Sequence, residues 1–247
     1  MNMKDVKAIT IPEGDVKRIL INGVVVWEVP ISKVLVSINT SGQTTSWYTG
    51  QTFSYNGTCT ASYSDGTTAV VTPTASSPSM SSAGTKAVTL TYTEDGVTVT
   101  TSYNITVIAR YWCQWTTNGT YNTGYLLRNG NYISNKGTTS NRTALVIESG
   151  GFTNNNTSKV YFLVGNTKYY VTSATESGTI YLKLTTTASQ GTTWTIIKGN
   201  STHGVWCFWD NAKQVKWNSG SAVDKLFATS GKPTSSATMG VKYTLIT

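Results

Sequence analysis

Charge is scarce in this 247-residue chain: Asp, Glu, Lys and Arg together make up 12% of it. Histidine is rarer still, with His203 alone. A catalytic triad, a histidine-based zinc site and a histidine-bearing deaminase centre each need more than one polar loop histidine after Asn200-Ser201-Thr202 provides. The three cysteines, Cys59, Cys113 and Cys207, have no CxxC spacing, which argues against a thiolate metal site. Their odd number and wide separation also argue against a disulfide framework and suit a reducing compartment, where cysteine acts as a small buried hydrophobe. A Cys113–Cys207 bridge stays open if the fold brings the two together. No apolar run reaches the 18 residues of a membrane-spanning helix. No apolar stretch follows Met1-Asn2-Met3-Lys4-Asp5, so the expectation is a protein without a secretory signal, one that stays in the cell that makes it or leaves within something larger. Glycines are dispersed among Thr, Ser and Asn, and none of them forms a nucleotide-binding loop. No cofactor or metal is expected.

What the chain has instead is hydroxyl: 45 Thr and 26 Ser. Helix formers are few, whereas Thr, Val, Tyr and Trp suit pleated surfaces, so an all-β protein is expected. The net charge of +8 is unevenly placed. Residues 1–30 balance and residues 31–109 carry a slight acidic excess. Residues 110–247 hold 13 basic and four acidic groups. Such asymmetry either solubilises a surface or attracts a polyanion: nucleic acid, an anionic wall polymer or the acidic face of a protein shell. The basic residues stand singly from Arg128 to Lys242, so a specific nucleic-acid groove is not expected.

Turn signals divide the chain in three. In residues 1–30, Asp15–Ile21 and Val24–Glu28 read as strands joined by Asn22-Gly23, the strongest local hairpin signal. A lone hairpin is marginal in water, so it must lie on a neighbour or a partner, with Ile9-Thr10-Ile11-Pro12 as an extended edge piece. Residues 31–109 offer strands at 33–38, 51–55, 58–63, 68–72, 86–93 and 97–108, with turns at Ser64-Asp65-Gly66-Thr67 and Glu94-Asp95-Gly96. Val88, Leu90, Tyr92, Val97 and Val99 alternate with Thr89, Thr91, Thr98 and Thr100, which predicts a half-buried antiparallel sheet. The pattern Thr60-Ala61-Ser62-Tyr63-Ser64-Asp65-Gly66-Thr67, followed by Ser82-Ala83-Gly84-Thr85-Lys86-Ala87-Val88-Thr89-Leu90-Thr91-Tyr92, resembles bacterial immunoglobulin-like domains of surface adhesins and phage structural proteins. That resemblance implies a β-sandwich acting as spacer or docking module.

Residues 110–247 contain an internal repeat. Gly124–Ile133, Val160–Val171 and Val205–Trp217 each read as strand, polar turn and strand, aligned at Asn129, Asn166 and Asn211. Each unit has a closing strand, at 144–147, 193–197 and 242–246. Such short units cannot bury cores separately and must share one. The layout resembles the β-trefoil, or ricin-B-like, fold, which implies a six-stranded barrel with a hairpin cap. The family's Gln-x-Trp signature is missing near the repeat ends. Gln114-Trp115 comes closest, and Trp194 is the candidate substitute. A second sandwich or a jelly-roll-like module is the alternative.

A glycosidase would need two carboxylates roughly 5–9 Å apart. The final segment offers Glu148, Glu176, Asp210 and Asp224; the first two read as turn or rim residues, and Asp210 as a cap on its own hairpin. The aromatics are more informative. Six of eight tryptophans lie after residue 110, and an indole plate suits a sugar face while Asn and Thr take its hydroxyls. Alternation puts Trp206 and Phe208 on one face of their strand, Cys207 and Trp209 on the other. Cysteine's preference for burial assigns Trp206 and Phe208 outward. With Tyr169 and Tyr170 after their turn, these form the expected glycan-binding set. Tyr111, Trp112 and Trp115 are expected at the junction of the two larger segments.

Finally, Ile-x-x-Gly-Asp-Val-Lys-x-Ile-x-x-Asn-Gly-x-x-x-Trp-Glu within residues 9–28 resembles the N-terminal piece of tailed-phage structural proteins from low-GC Gram-positive hosts. Together the readings lead to a non-enzymatic virion surface protein, a capsid decoration or tail accessory, assembled in the host cytoplasm. It would contact other virion structural proteins and bind host-surface glycans or an anionic wall polymer weakly and multivalently, with no membrane insertion. A purely structural virion protein and a cell-wall-degrading enzyme are the competing readings.

Overall fold

A computed structural model describes residues 33–117, 124–212, 214–219 and 221–247, together with the strand backbone of 18–21 and 24–28. The Ile9–Pro12 edge piece and the Asn22-Gly23 turn lie outside the described residues. The protein is all-β, 57% strand and 1% helical. Strands β1 (Arg18–Ile21) and β2 (Val24–Glu28) pair antiparallel, with an irregularity between Ile19 and Leu20.

Contacts divide the chain into two compact units: the described parts of 1–43, 56–76 and 89–102, and residues 44–55, 77–88 and 103–247. The strands of the 33–108 region are β3 (Leu35–Ser41), β4 (Ser46–Tyr48), β5 (Thr58–Tyr63), β6 (Thr68–Val71), β7 (Thr74–Ala75), β8 (Gly84–Glu94) and β9 (Val97–Ile108). They form a three-stranded sheet, β3-β5-β6, and a four-stranded sheet, β4-β9-β8-β7. The anticipated alternation is present. Val88 and Leu90 are fully buried, while Thr98 and Thr100 face solvent. Both turns are where the sequence put them. Asp95 and Gly96 take positive φ (49° and 80°), the geometry that joins twisted strands tightly. Asp65 accepts hydrogen bonds from the backbone N–H and hydroxyl of Thr67, which hold its carboxyl below the ordinary value. The strand expected at 51–55 is absent. The chain pairs earlier instead, at Ser46–Tyr48, parallel to Thr106–Ile108, and then turns at Thr49-Gly50, where Gly50 has φ +74°.

Residues 111–245 form β10 (Tyr111–Thr116), β11 (Tyr125–Asn129), β12 (Tyr132–Gly137), β13 (Ala144–Ile147), β14 (Asn156–Val164), β15 (Thr167–Glu176), β16 (Thr179–Thr185), β17 (Thr193–Lys198), β18 (Trp206–Asp210), β19 (Val215–Asn218), β20 (Phe227–Ser230) and β21 (Gly240–Leu245). Their pairing closes a barrel. The outer circuit runs through ten strands, β10–β11–β12–β16–β20–β19–β18–β17–β14–β13. A tighter ring also closes, β10–β13–β14–β17–β18–β21, antiparallel throughout. The remaining strands make three hairpins, β11–β12, β15–β16 and β19–β20.

Three cross-strand pairs line the ring: Trp115 with Val241, Phe162 with Leu145 and Phe208 with Ile196. All six side chains are fully buried in one apolar cluster. Directly opposed side chains on one sheet face touch, so each pair closes a third of the interior. Trp194 is buried in the same cluster, donating its indole N–H to the Val171 carbonyl at 3.2 Å and meeting Trp217 edge-on at 5.6 Å. Trp115 donates to the Ser219 carbonyl at 2.8 Å.

The repeat register needs correction. The closing strands match β13, β17 and β21, but Gly124–Ile133 covers β11–β12, whereas the other two aligned stretches cover β14–β15 and β18–β19. The pairing makes Trp115, not Tyr125, the counterpart of Phe162 and Phe208. An Asn or Gly turn marks a hairpin without numbering its strands, so alignment at Asn129, Asn166 and Asn211 sets the first stretch one strand later than the other two. The three cysteines are free and buried. Cys113 lies in the barrel interior and Cys207 in a separate cluster with Ile197 and Val205, so no Cys113–Cys207 bridge forms.

Replacing either ring aromatic should empty part of the shared interior. Phe208→Ala and Phe162→Ala are each expected to cost about 3–5 kcal/mol in urea unfolding of the full chain. Val70→Ala, at a side chain 75% exposed, should change stability by less than about 0.5 kcal/mol.

Candidate functional site

The ring strands also have outward faces, and the pairing relates them. Gln114, Tyr161 and Cys207 immediately precede the three ring aromatics, so alternation turns all three away from the interior. Their surroundings differ.

On the middle face, Tyr161 packs with Val146, Leu163 and Tyr170, and Tyr48 and Ile108 cover that cluster. The Tyr48 and Tyr161 hydroxyls lie 3.1 Å apart. Burial, reinforced by this hydrogen bond, pushes the Tyr161 phenol well above its ordinary value. Arg110 ties down the same stretch, donating Nε–H to the Thr49 carbonyl at 2.8 Å and its backbone N–H to Oγ1 of Thr49 at 3.0 Å. This face is occupied by the chain itself.

The third face carries Cys207 in a pocket of about 240 Å³ bordered by Lys216, Asn218, Pro233, Ser236 and Met239. The thiol donates to the Met239 carbonyl at 3.3 Å, and burial pushes it up to about 11. A protonated, buried thiol is a packing group here, not a nucleophile.

The first face is the candidate site. A pocket of about 210 Å³ is lined by Trp112, Gln114, Tyr125, Lys242, Tyr243 and Thr244. Strand pairing builds it: Gln114 lies opposite both Tyr125 and Lys242, and Trp112 lies opposite Thr244. The Arg142 guanidinium stands 4.1 Å from the Trp112 ring centroid and 4.8 Å from that of Tyr125. Cation–π attraction and stacking thus hold two aromatic plates and a cation in one arrangement. Among the described residues that line the pocket there is no carboxylate. Indole and phenol surface for a ring face, amide and hydroxyl groups for its substituents and two cations for a negative charge occur together here.

The residues expected from sequence fall differently. Phe208 is fully buried and stacks on Trp217 at 4.1 Å, and Tyr170 is 7% exposed beneath the Tyr48 cover, so neither presents a face to a ligand. The outward assignment of Trp206 and Phe208 rested on one face of β18 being wet. In fact both are covered: Phe208 by the ring interior, Cys207 by its own apolar cluster. Trp206 is half-buried and packs against Phe152 at 5.6 Å and Tyr243 at 6.2 Å. Tyr169 is half-buried beneath the Arg128 guanidinium, 4.2 Å from its centroid. Among the expected junction residues, Trp115 is a core residue and Tyr111 is buried edge-on to Phe152 and Tyr243, whereas Trp112 belongs to the pocket. Gln114, Tyr125, Arg142, Lys242 and Thr244 were missed; only the adjacency of Gln114 to two tryptophans hinted at them.

Three of the four carboxylates of this segment serve local roles. Asp210 accepts from the Ala212 N–H at 2.8 Å, the anticipated cap, and Asp224 pairs with Lys136 at 2.7 Å. Glu176 pairs with Lys183 at 2.6 Å and accepts the Tyr132 hydroxyl on both oxygens at 2.8 Å. The Lys183 hydrogen bond first, then that of Tyr132, holds its carboxyl below the usual value, and the Lys183 ammonium is raised in return. Compared with protein-family models, curated proteins and solved structures, the chain matches none of them.

The Glu176 cluster ties β12, β15 and β16 together, with a defined pH dependence. A depressed folded pKa gives stability that is complete above the ordinary carboxylate value of 4.5 and is lost as pH falls through the lower folded value. The raised Lys183 adds stability lost as pH rises through its folded pKa, above the ordinary 10.5. Glu176→Gln should therefore lower the melting temperature at pH 7, and the gap from the parent should close on acidification below pH 4 in a calorimetric series.

Proposed function

We propose that the protein is a non-enzymatic virion surface protein whose C-terminal barrel is a β-trefoil that binds host-surface glycan or wall polymer. In this reading residues 31–109 are an immunoglobulin-like sandwich, and the N-terminal hairpin contacts other virion structural proteins. The trefoil assignment is supported by the six-strand ring, the three hairpins and the three equivalent ring pairs. The phage assignment rests on the sequence resemblances of residues 9–28 and 60–92.

The observation that carries the binding reading is the open first face. Trp112 and Tyr125 are oriented by Arg142 in a shallow polar pocket at a place whose middle-unit counterpart holds a ring bearing a hydroxyl, Tyr48. Shallow sites of this size bind single saccharides weakly. Many copies on one particle would turn weak sites into firm attachment through effective concentration. The middle face also favours a second reading, since it shows the same surface serving internal docking alone. In that case the protein would stabilise a capsid or tail and bind no glycan.

Retention of the purified full chain by host envelope fractions separates these readings. The double variant Trp112→Ala, Tyr125→Ala is expected to lose at least about tenfold in retention, the loss of two stacking contacts of order 1 kcal/mol each. Trp206→Ala should not lower it comparably. Unchanged retention by the double variant would dismiss this pocket, and particles that lack the protein yet lose heat resistance instead of adsorption would establish the structural role.

A further inference from the structure

We infer that the first-face pocket is built for an acidic saccharide, a sugar ring carrying a carboxylate or a phosphate, rather than a neutral one; this rests on the binding reading above and names its ligand class. The first support is the placement of Arg142. Its guanidinium lies against both Trp112 and Tyr125, at 4.1 and 4.8 Å. Ring contacts engage the flat faces of a guanidinium, whereas its N–H groups point outward in its plane, where they can meet the two oxygens of a carboxylate or phosphate together. Among the described residues, neither ion pair involves Arg142.

The second support is the composition of the pocket. Lys242 stands opposite Gln114 on the neighbouring strand and lines the depression whose Trp112 and Tyr125 rings meet Arg142. A neutral sugar needs acceptors for its hydroxyl protons, and carboxylates serve that need best. Among the described lining residues there is none: the pocket offers the Gln114 amide, the Thr244 hydroxyl and the Tyr125 and Tyr243 phenols beside the Lys242 ammonium, with Arg142 standing against two of its rings. The third support is independent of charge. At the equivalent middle face the chain seats Tyr48, and its hydroxyl meets Tyr161 at 3.1 Å. The outer barrel face therefore accommodates a six-membered ring with a polar substituent at the middle unit.

Affinity electrophoresis or calorimetry on the full chain tests this with three probes: a uronic-acid oligosaccharide, a polyol-phosphate polymer and a neutral glucan oligosaccharide of matched length. At least one acidic probe should bind tenfold or more tightly than the neutral one, and which it is tells carboxylate from phosphate. Arg142→Lys, which keeps the charge and loses the fork, should lose about tenfold for that probe. Thr244→Trp, at an exposed position on the pocket wall, should abolish binding while leaving Arg142 in place, which keeps the test sound if the Arg142 variant folds poorly. Equal binding of the neutral probe, or a loss with the distant Lys198→Gln as large as that with Arg142→Lys, would overturn the ligand class. Failure of all three probes with envelope retention still dependent on Trp112 and Tyr125 overturns this inference alone; loss of that dependence removes the binding reading itself.

Discussion

Ring closure by three opposed apolar pairs is the constraint from which the remainder of the barrel follows. Trp115 against Val241, Phe162 against Leu145 and Phe208 against Ile196 fill one interior from six strands that span residues 111–245. No four-strand unit could exclude water from its aromatic alone. Antiparallel closure leaves the ring no free edge, and side chains of the three hairpins, among them Leu126, Leu182 and Trp217, join the same core cluster. Trp115 is fully buried in this interior, so its indole N–H needs an acceptor there, which the Ser219 carbonyl provides.

Once inward positions are spent on the shared interior, alternation decides what the outward positions can be. Three related faces result, and the chain treats each differently. The middle one is apolar and covered by Tyr48 and Ile108; the third holds Cys207 in an apolar cluster at the edge of a small, largely polar pocket; the first is aromatic, basic and open. A recurring pattern of strand pairing thus coexists with divergence of the surface, because core volume restrains the ring residues while the outer residues answer only to what touches them.

The excess of positive charge has a physical explanation in this surface. Few acids are available, and many cations rest over aromatic rings: Arg128 on Tyr169, Arg142 on Trp112 and Tyr125, Lys225 on Tyr132, Lys232 on Trp209. A ring's negative face gives a cation modest stabilisation without neutralising it. The barrel can therefore keep a positive field while holding its long basic side chains in place, a combination suited to meeting an anionic polymer.

Composition and periodicity by themselves determined the all-β class, the turns at Asp65-Gly66 and Asp95-Gly96, the alternation of β8 and the closing strands β13, β17 and β21, because these depend on local dihedral preference and a period of two. Tertiary structure alone decided the repeat register, the parallel β4–β9 pairing and the depth of Phe208 and Tyr170. A turn motif does not say which strand of a unit it follows, and alternation separates two faces without saying whether one of them is wet. The candidate pocket was beyond the reach of sequence for the same reason. Trp112, Tyr125, Arg142 and Lys242 come from three strands and a loop, and only the closure of β10 on both β11 and β21 makes them neighbours.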